Sequence, residues 1–277
     1  MEVVYASKMG FCRGVSLSLD RVREAYELSI KDCVPCYIYG DIVHNSYVTD
    51  ALIENGVRSI LSAEEAPIPG YLVIRAHGIG MKERSLFEEK GFKIIDATCP
   101  IVLRNQGLVR TSDRDVIIIG YEHHAEVIGL VGCARRNIHI VASSQDLEVL
   151  DKSIPYNAVL QTTFSQIELD KILSRAQELG LEIKLLNTIC GASSERRKAV
   201  ADLSENVDAV LVVGDKKSAN TNELHKIAKE KAVLSFLIEK AEDIPIDVLE
   251  CKRIGITAGA STPSVIYRQV EDFLRSR

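Results

Sequence analysis

The sequence has no tryptophan, no apolar run that approaches membrane-spanning length, and no excess of basic residues. The missing run excludes a helical membrane span. The net charge of −5 argues against a general binder of nucleic acid or of anionic membranes, though a local site for an anion can still be built from neutral donors. The first eight residues, Met1 to Lys8, lack a basic stretch followed by an apolar core, so no signal peptide is expected and the cytoplasm is the expected compartment. Paired Cys-x-x-Cys motifs are nearly absent: Cys33 and Cys36 form one pair with no match elsewhere. Seven cysteines are an odd count for a chain of this type, which makes disulfides unexpected and moves ligand or buried-thiol roles up. There is no P-loop, and Gly78-Ile79-Gly80 lacks the third glycine of a dinucleotide fingerprint, since Glu83 stands there. Otherwise the 277 residues, 46% hydrophobic and 26% charged, are ordinary for one or two globular domains.

What is present is a threefold repeat of strand-like runs alternating with amphipathic helical patterns, which predicts an α/β fold with parallel sheets. The apolar run around Ile94 and Ile95 ends at Cys99, and Pro100 follows at what reads as a first helical position, where its missing N–H costs nothing. The run over residues 3–6 leads likewise to Cys12 and to a helical pattern of Val15, Leu19, Val22 and Tyr26. That over 181–186 leads to Cys190 and to Ala199, Val200, Leu203 and Val207. The three cysteines stand 87 and 91 residues apart and divide the chain into near-equal thirds. A thiol at a helix N-terminus is favoured as the thiolate, the form that binds metal.

Each third repeats further marks. A strand ending in glycine is expected over 36–40, 116–120 and 210–214, and four residues on stand His44, His124 and Ser218. A second strand is expected over 57–61, 138–141 and 233–236. A last strand ends in a polar cluster at His77, at Thr162 and Thr163, and at Ser261. Ligands of parallel α/β sheets bind beyond the carboxyl ends of strands, which is where all these residues fall. The expected architecture is three similar parallel-sheet lobes in pseudo-threefold arrangement: residues 14–98, 99–189 and 190–277, the last completed by 1–13. One such cysteine alone reads best as a buried thiol. Three in equivalent positions suit a zinc site or an iron–sulfur cluster. Zinc prefers four closed ligands in tight pairs, absent here, whereas a cubane on three cysteines leaves one iron open. Cys33, Cys36, Cys133 and Cys251, with His123, His139 and His225, are expected to be structural.

Taken together, eight segments carry a resemblance: Gly10-Phe11-Cys12-Arg13-Gly14-Val15, Val43-His44-Asn45, Ala76-His77-Gly78, Asp96-Ala97-Thr98-Cys99-Pro100, Gly120 to Val127, Gln161-Thr162-Thr163, Ser218-Ala219-Asn220 and Thr257 to Ser261. In this order they resemble the 4-hydroxy-3-methylbut-2-enyl diphosphate reductase family, over nearly the whole chain. The resemblance implies three α/β lobes around a central [4Fe–4S] cluster, and a two-electron reductive dehydroxylation that yields isopentenyl and dimethylallyl diphosphate. It matches Cys12, Cys99 and Cys190 to the cluster ligands. His44, His77, His124, Thr163, Ser218, Ala219, Asn220 and Ser261 fall on the diphosphate pocket, and Glu126, helped by Thr162, falls on the proton-handling group. An external electron donor such as ferredoxin or flavodoxin is implied, and neither nucleic acid nor membrane. Tyr121, Ala125 and Ala219 depart from the family's usual histidine, proline and serine. The rivals are another three-cysteine cluster enzyme, such as a quinolinate-synthase-like dehydratase, and a non-catalytic iron–sulfur sensor, which needs no Glu126. Residue by residue, bland roles stand beside these: structural histidines, helix caps at Ser218, Asn220 and Ser261, and ordinary strand threonines.

Overall fold

The computed structural model describes residues 1–43, 45–232 and 234–277. His44, expected in the diphosphate pocket, and Val233, expected to open a strand, lie outside the described residues. Three four-stranded sheets are present, all parallel. The chain opens with β1 (Glu2–Tyr5) and α1 (Arg13–Lys31). The first sheet then takes β2 (Cys36–Tyr39), β3 (Arg58–Ile60), β4 (Tyr71–Ile74) and β5 (Lys93–Asp96), with α2 (Ser46–Glu54) and α3 (Met81–Glu89) between strands. After α4 (Pro100–Arg110), the second sheet takes β6 (Asp115–Ile119), β7 (Ile138–Val141), β8 (Tyr156–Leu160) and β9 (Ile183–Leu185), with α5 (Ala125–Val131) and α6 (Gln166–Leu179). After α7 (Gly191–Ser204) come β10 (Ala209–Val213), α8 (Ala219–Lys231), β11 (Leu234–Ile238), β12 (Arg253–Ala258) and α9 (Ser264–Arg275).

The strand orders are β3-β2-β4-β5, β7-β6-β8-β9 and, read in the same sense, β11-β10-β12-β1. All three sheets therefore share one topology, and β1 completes the third by pairing Glu2 to Tyr5 with Arg253 to Ile256. Central strands such as β8 and β10 are buried at every position, which is why their sequences are continuous apolar runs rather than alternating ones. One core packs β6, β8 and α6 through Ile117, Tyr156, Phe164 and Ile172. The chain divides into two compact units. One holds Met1–Ser16, Val43–Ala51 and Gly191–Arg277, and with them the third sheet. The other holds Leu17–Ile42 and Leu52–Cys190, and with them the first and second sheets.

Two helical expectations shift. The buried face of α1 runs through Val15, Ser18, Val22, Ala25 and Ser29, while Leu19 and Tyr26 are half-buried, because the stripe follows small polar residues that do not register as apolar. Val207 lies beyond the end of α7. Among the described residues no helix is long and apolar enough to cross a membrane.

Candidate active site

Each of Cys12, Cys99 and Cys190 immediately precedes a helix, α1, α4 and α7 respectively. Their backbone anchoring is the same in all three thirds. The Cys12 N–H donates to the Ala260 carbonyl at 3.1 Å, that of Cys99 to Ala76 at 3.0 Å, and that of Cys190 to Thr162 at 3.1 Å. Each accepting residue stands two places past the end of its strand, β12, β4 and β8. The repeat seen in sequence is thus a repeat of backbone geometry, and it sets each cysteine beside a strand end. All seven cysteines are thiols rather than disulfides, and these three are half-buried.

Within the second unit, contacts run continuously from Cys99 to Cys190. Ala76, which accepts from Cys99, is followed by His77, whose ring meets that of His124 edge-on at 5.4 Å. His124 caps α5: its Nδ1 accepts from the Glu126 N–H at 3.2 Å. Glu126 is 1% exposed, and its carboxylate accepts from the Thr162 N–H at 3.0 Å and from the Thr162 hydroxyl at 2.7 Å. Burial pushes the Glu126 carboxyl up to about 7, against the opposing pull of the two Thr162 bonds. The Thr162 carbonyl then receives the Cys190 N–H. Thr163 joins through Gln161, whose Nε2 donates to the Thr163 hydroxyl and whose Oε1 accepts from the Tyr121 N–H, both at 3.0 Å. Gln161 is fully buried and was not singled out from the sequence as a site residue; its place in the Gln-Thr-Thr run was the available signal.

The first unit holds Cys12, Ser218, Ala219, Asn220 and Ser261. Ser218 caps α8, its hydroxyl accepting from the Thr221 N–H at 3.3 Å, so the bland capping role is real. Ala219 and Asn220 form the first turn of α8, and Asn220 is 8% exposed with Nδ2 lacking a hydrogen-bond partner. The hydroxyls of Thr221 and Thr257 are buried and also without partners. A Cβ on Gly259 would lie 2.2 Å from the Thr221 hydroxyl, so glycine is what allows the Thr257 to Ser261 segment to lie against the start of α8. Ser261 is 7% exposed and directly follows Ala260, the anchor of Cys12. Buried donors without protein partners are costly unless a ligand meets them.

The remaining cysteines and histidines lie outside these contacts, and His123 is exposed. Cys36 opens β2 and is buried, which pushes its thiol up to about 11. Cys133 is buried against the Ile79 carbonyl, Cys33 is exposed and Cys251 half-buried. His139 packs edge-on against Tyr156, and His225 lies 3.3 Å from the Ser235 carbonyl. Among the described residues no group of three or more His, Cys, Asp or Glu side chains is arranged to hold a single metal ion. Of the departures, Tyr121 is 44% exposed and packs on Phe164, and Ala125 opens α5 without disturbing its cap.

Residues 3–275 match the model of the LytB protein family. The chain is 37% identical to a 4-hydroxy-3-methylbut-2-enyl diphosphate reductase of Caldanaerobacter subterraneus, covering 100% of this chain and 97% of that one. It is 35% identical to the protein of that name from Treponema denticola, covering 98% of each. Among solved structures, it is similar to an E-1-hydroxy-2-methyl-but-2-enyl-4-diphosphate reductase from Plasmodium falciparum, with a TM-score of 0.89, 29% identity, and 99% and 87% of the two chains covered. A second, described as the terminal enzyme of the non-mevalonate pathway, gives a TM-score of 0.73 at 32% identity over 100% of both chains. The chain belongs to the LytB family, that of the 4-hydroxy-3-methylbut-2-enyl diphosphate reductases.

Proposed function

We propose that this chain is a 4-hydroxy-3-methylbut-2-enyl diphosphate reductase, removing the allylic hydroxyl of its substrate with two electrons and two protons. Water leaves, and isopentenyl and dimethylallyl diphosphate are the products, the last step of the methylerythritol phosphate route. One observation carries the reading: Thr162 holds the buried Glu126 carboxyl by two hydrogen bonds and holds the Cys190 loop by its carbonyl. A proton donor is thereby fixed beside a cysteine of the repeated set.

Cys12, Cys99 and Cys190 are the proposed ligands of a [4Fe–4S] cluster. The donor set fits: three thiols with equivalent backbone anchors, each at a helix N-terminus, and among the described residues no fourth cysteine so placed. When bound there, the cluster supplies an open iron that polarises the substrate C–O bond and a relay for electrons from a ferredoxin or flavodoxin. Glu126, with a carboxyl near 7, is suited to give a proton to the leaving oxygen at neutral pH. Thr162 keeps that carboxyl oriented.

The diphosphate is met by donors. His124, which caps α5 through Nδ1, is one proposed imidazole contact, and His77 stands ring to ring with it. Asn220 and Ser218 at the start of α8, with Ser261, supply amide and hydroxyl groups, and the unpartnered Asn220 Nδ2 supports an anion there. Thr163 and His44 complete the proposed set, and Ala219 leaves only a backbone N–H where the family carries a serine. Lobe boundaries at 14–98, 99–189 and 190–277 with 1–13 are supported by the pairing of β1 with β12. The expected compartment is the cytoplasm. A buried carboxyl held at a cysteine loop favours an enzyme over a sensor. The test is Glu126→Gln in anaerobically reconstituted protein: cluster content should stay at the wild-type level while turnover is lost. Normal turnover in that variant would remove Glu126 from the chemistry.

A further inference from the structure

In α1, α4 and α7 the buried positions fall at the same intervals from the cysteine. Three, six and ten residues on stand Val15, Ser18 and Val22; Val102, Asn105 and Val109; and Ser193, Arg196 and Val200, all under 9% exposed. The middle position is polar each time. A polar side chain on the inner face of a helix needs a partner there. Two of the three have one, and the partners correspond. The Ser18 hydroxyl donates to the Ala97 carbonyl at 2.7 Å, and Ala97 stands two residues before Cys99. The Arg196 guanidinium donates to the Gly10 carbonyl through Nη2 at 2.8 Å and Nε at 3.2 Å, and Gly10 stands two residues before Cys12. Gly10 has φ +68, so glycine is the residue that presents its carbonyl in this loop without strain. In both cases the helix behind one cysteine braces the loop before the next, the helix of Cys190 returning to Cys12.

By the same rule Asn105, behind Cys99, should brace the loop before Cys190, at the carbonyl of Thr188. Asn105 is 1% exposed and its Nδ2 has no hydrogen-bond partner. Its neighbour one turn on, Val109, belongs to the buried cluster against which Leu186, two residues before Thr188, packs. Hydroxyl, guanidinium and carboxamide differ in charge and size but each donates, which is all the position requires.

We propose that Ser18, Arg196 and Asn105 are positioning residues that each hold the loop of the next cysteine in chain order, Asn105 engaging the Thr188 carbonyl once the three cysteines are loaded. This rests on the cluster reading for its purpose, but part of its test does not need the cluster. The full chain is prepared with and without cluster and exposed to an alkylating agent, with a chelator added for the loaded form, and each cysteine is followed by mass spectrometry. In apoprotein, Ser18→Ala should speed alkylation of Cys99 and Arg196→Met that of Cys12, each about fivefold, the factor one ordinary hydrogen bond represents. Asn105→Leu should leave apoprotein unchanged. In loaded protein the first cysteine released should be Cys99, Cys12 and Cys190 for the three variants respectively. Ser18→Thr and Arg196→Lys, which keep a donor, should restore much of the protection. Acceleration at all three cysteines alike, or at the cysteine of the variant's own helix, would overturn the brace. Wild-type protein that takes up no cluster would instead count against the proposed function, and the apoprotein pattern would still decide this inference.

Discussion

The burial of Glu126, the proposed proton donor, has a consequence measurable without substrate. The carboxyl's ordinary value is 4.5 and burial moves it to about 7. Below about pH 4.5 the group is protonated in folded and unfolded chains alike, and the stability it allows is fully present. Between there and about 7 the unfolded chain ionises first, so stability falls as pH rises, by about 3 kcal/mol in all. Glu126→Gln removes that dependence while keeping groups that Thr162 can bond. Denaturant melts of the two proteins should therefore diverge from pH 5 to pH 8, the variant gaining on the wild type. A constant difference across that range would mean the carboxyl is not held neutral. The proposed role of Glu126 was legible through the family resemblance alone. Its hydrogen bonds to Thr162 were not, because they join residues 36 apart in sequence.

Helix starts are the elements on which His124, Ser218 and the three cysteines stand. His124 caps α5 through Nδ1, and its proposed second purpose is to meet the diphosphate. The two separate by substitution. His124→Asn retains a good cap and loses the imidazole, so thermal stability should hold while calorimetric affinity for the substrate drops. His124→Ala should lose both, at a cost of about 1 kcal/mol of stability from the cap. Equal melting temperatures for the two variants would deny the capping role. At α8 the parallel change is Ser218→Ala, expected to cost about 1 kcal/mol in the same way, and a melt of that variant decides it. The strands and their glycine-then-polar endings were readable because a buried parallel strand is a continuous apolar run. Ser18, Asn105 and Arg196 were not, since a polar residue on a helix reads as solvent-facing until its partner is known. The expected face through Leu19 and Tyr26 missed for the same reason.

At the scale of the molecule, three sheets of one strand order repeat one device, a cysteine at the end of a strand whose amide is tied two residues past the neighbouring strand. The repeat was visible as intervals of 87 and 91 residues, and the sheet orders bear out an α/β fold of three lobes. Membership of the LytB family makes that device part of a reductase reading, and the central claim is that the three cysteines hold a cluster with one open iron that receives the substrate. The direct measurement is a Mössbauer spectrum of isotopically labelled, anaerobically prepared protein, with and without 4-hydroxy-3-methylbut-2-enyl diphosphate. The expected result is a cubane with one distinct iron whose signal changes when the diphosphate is added. A protein that takes up no cluster after reconstitution, or a cluster whose spectrum ignores the compound, would contradict it.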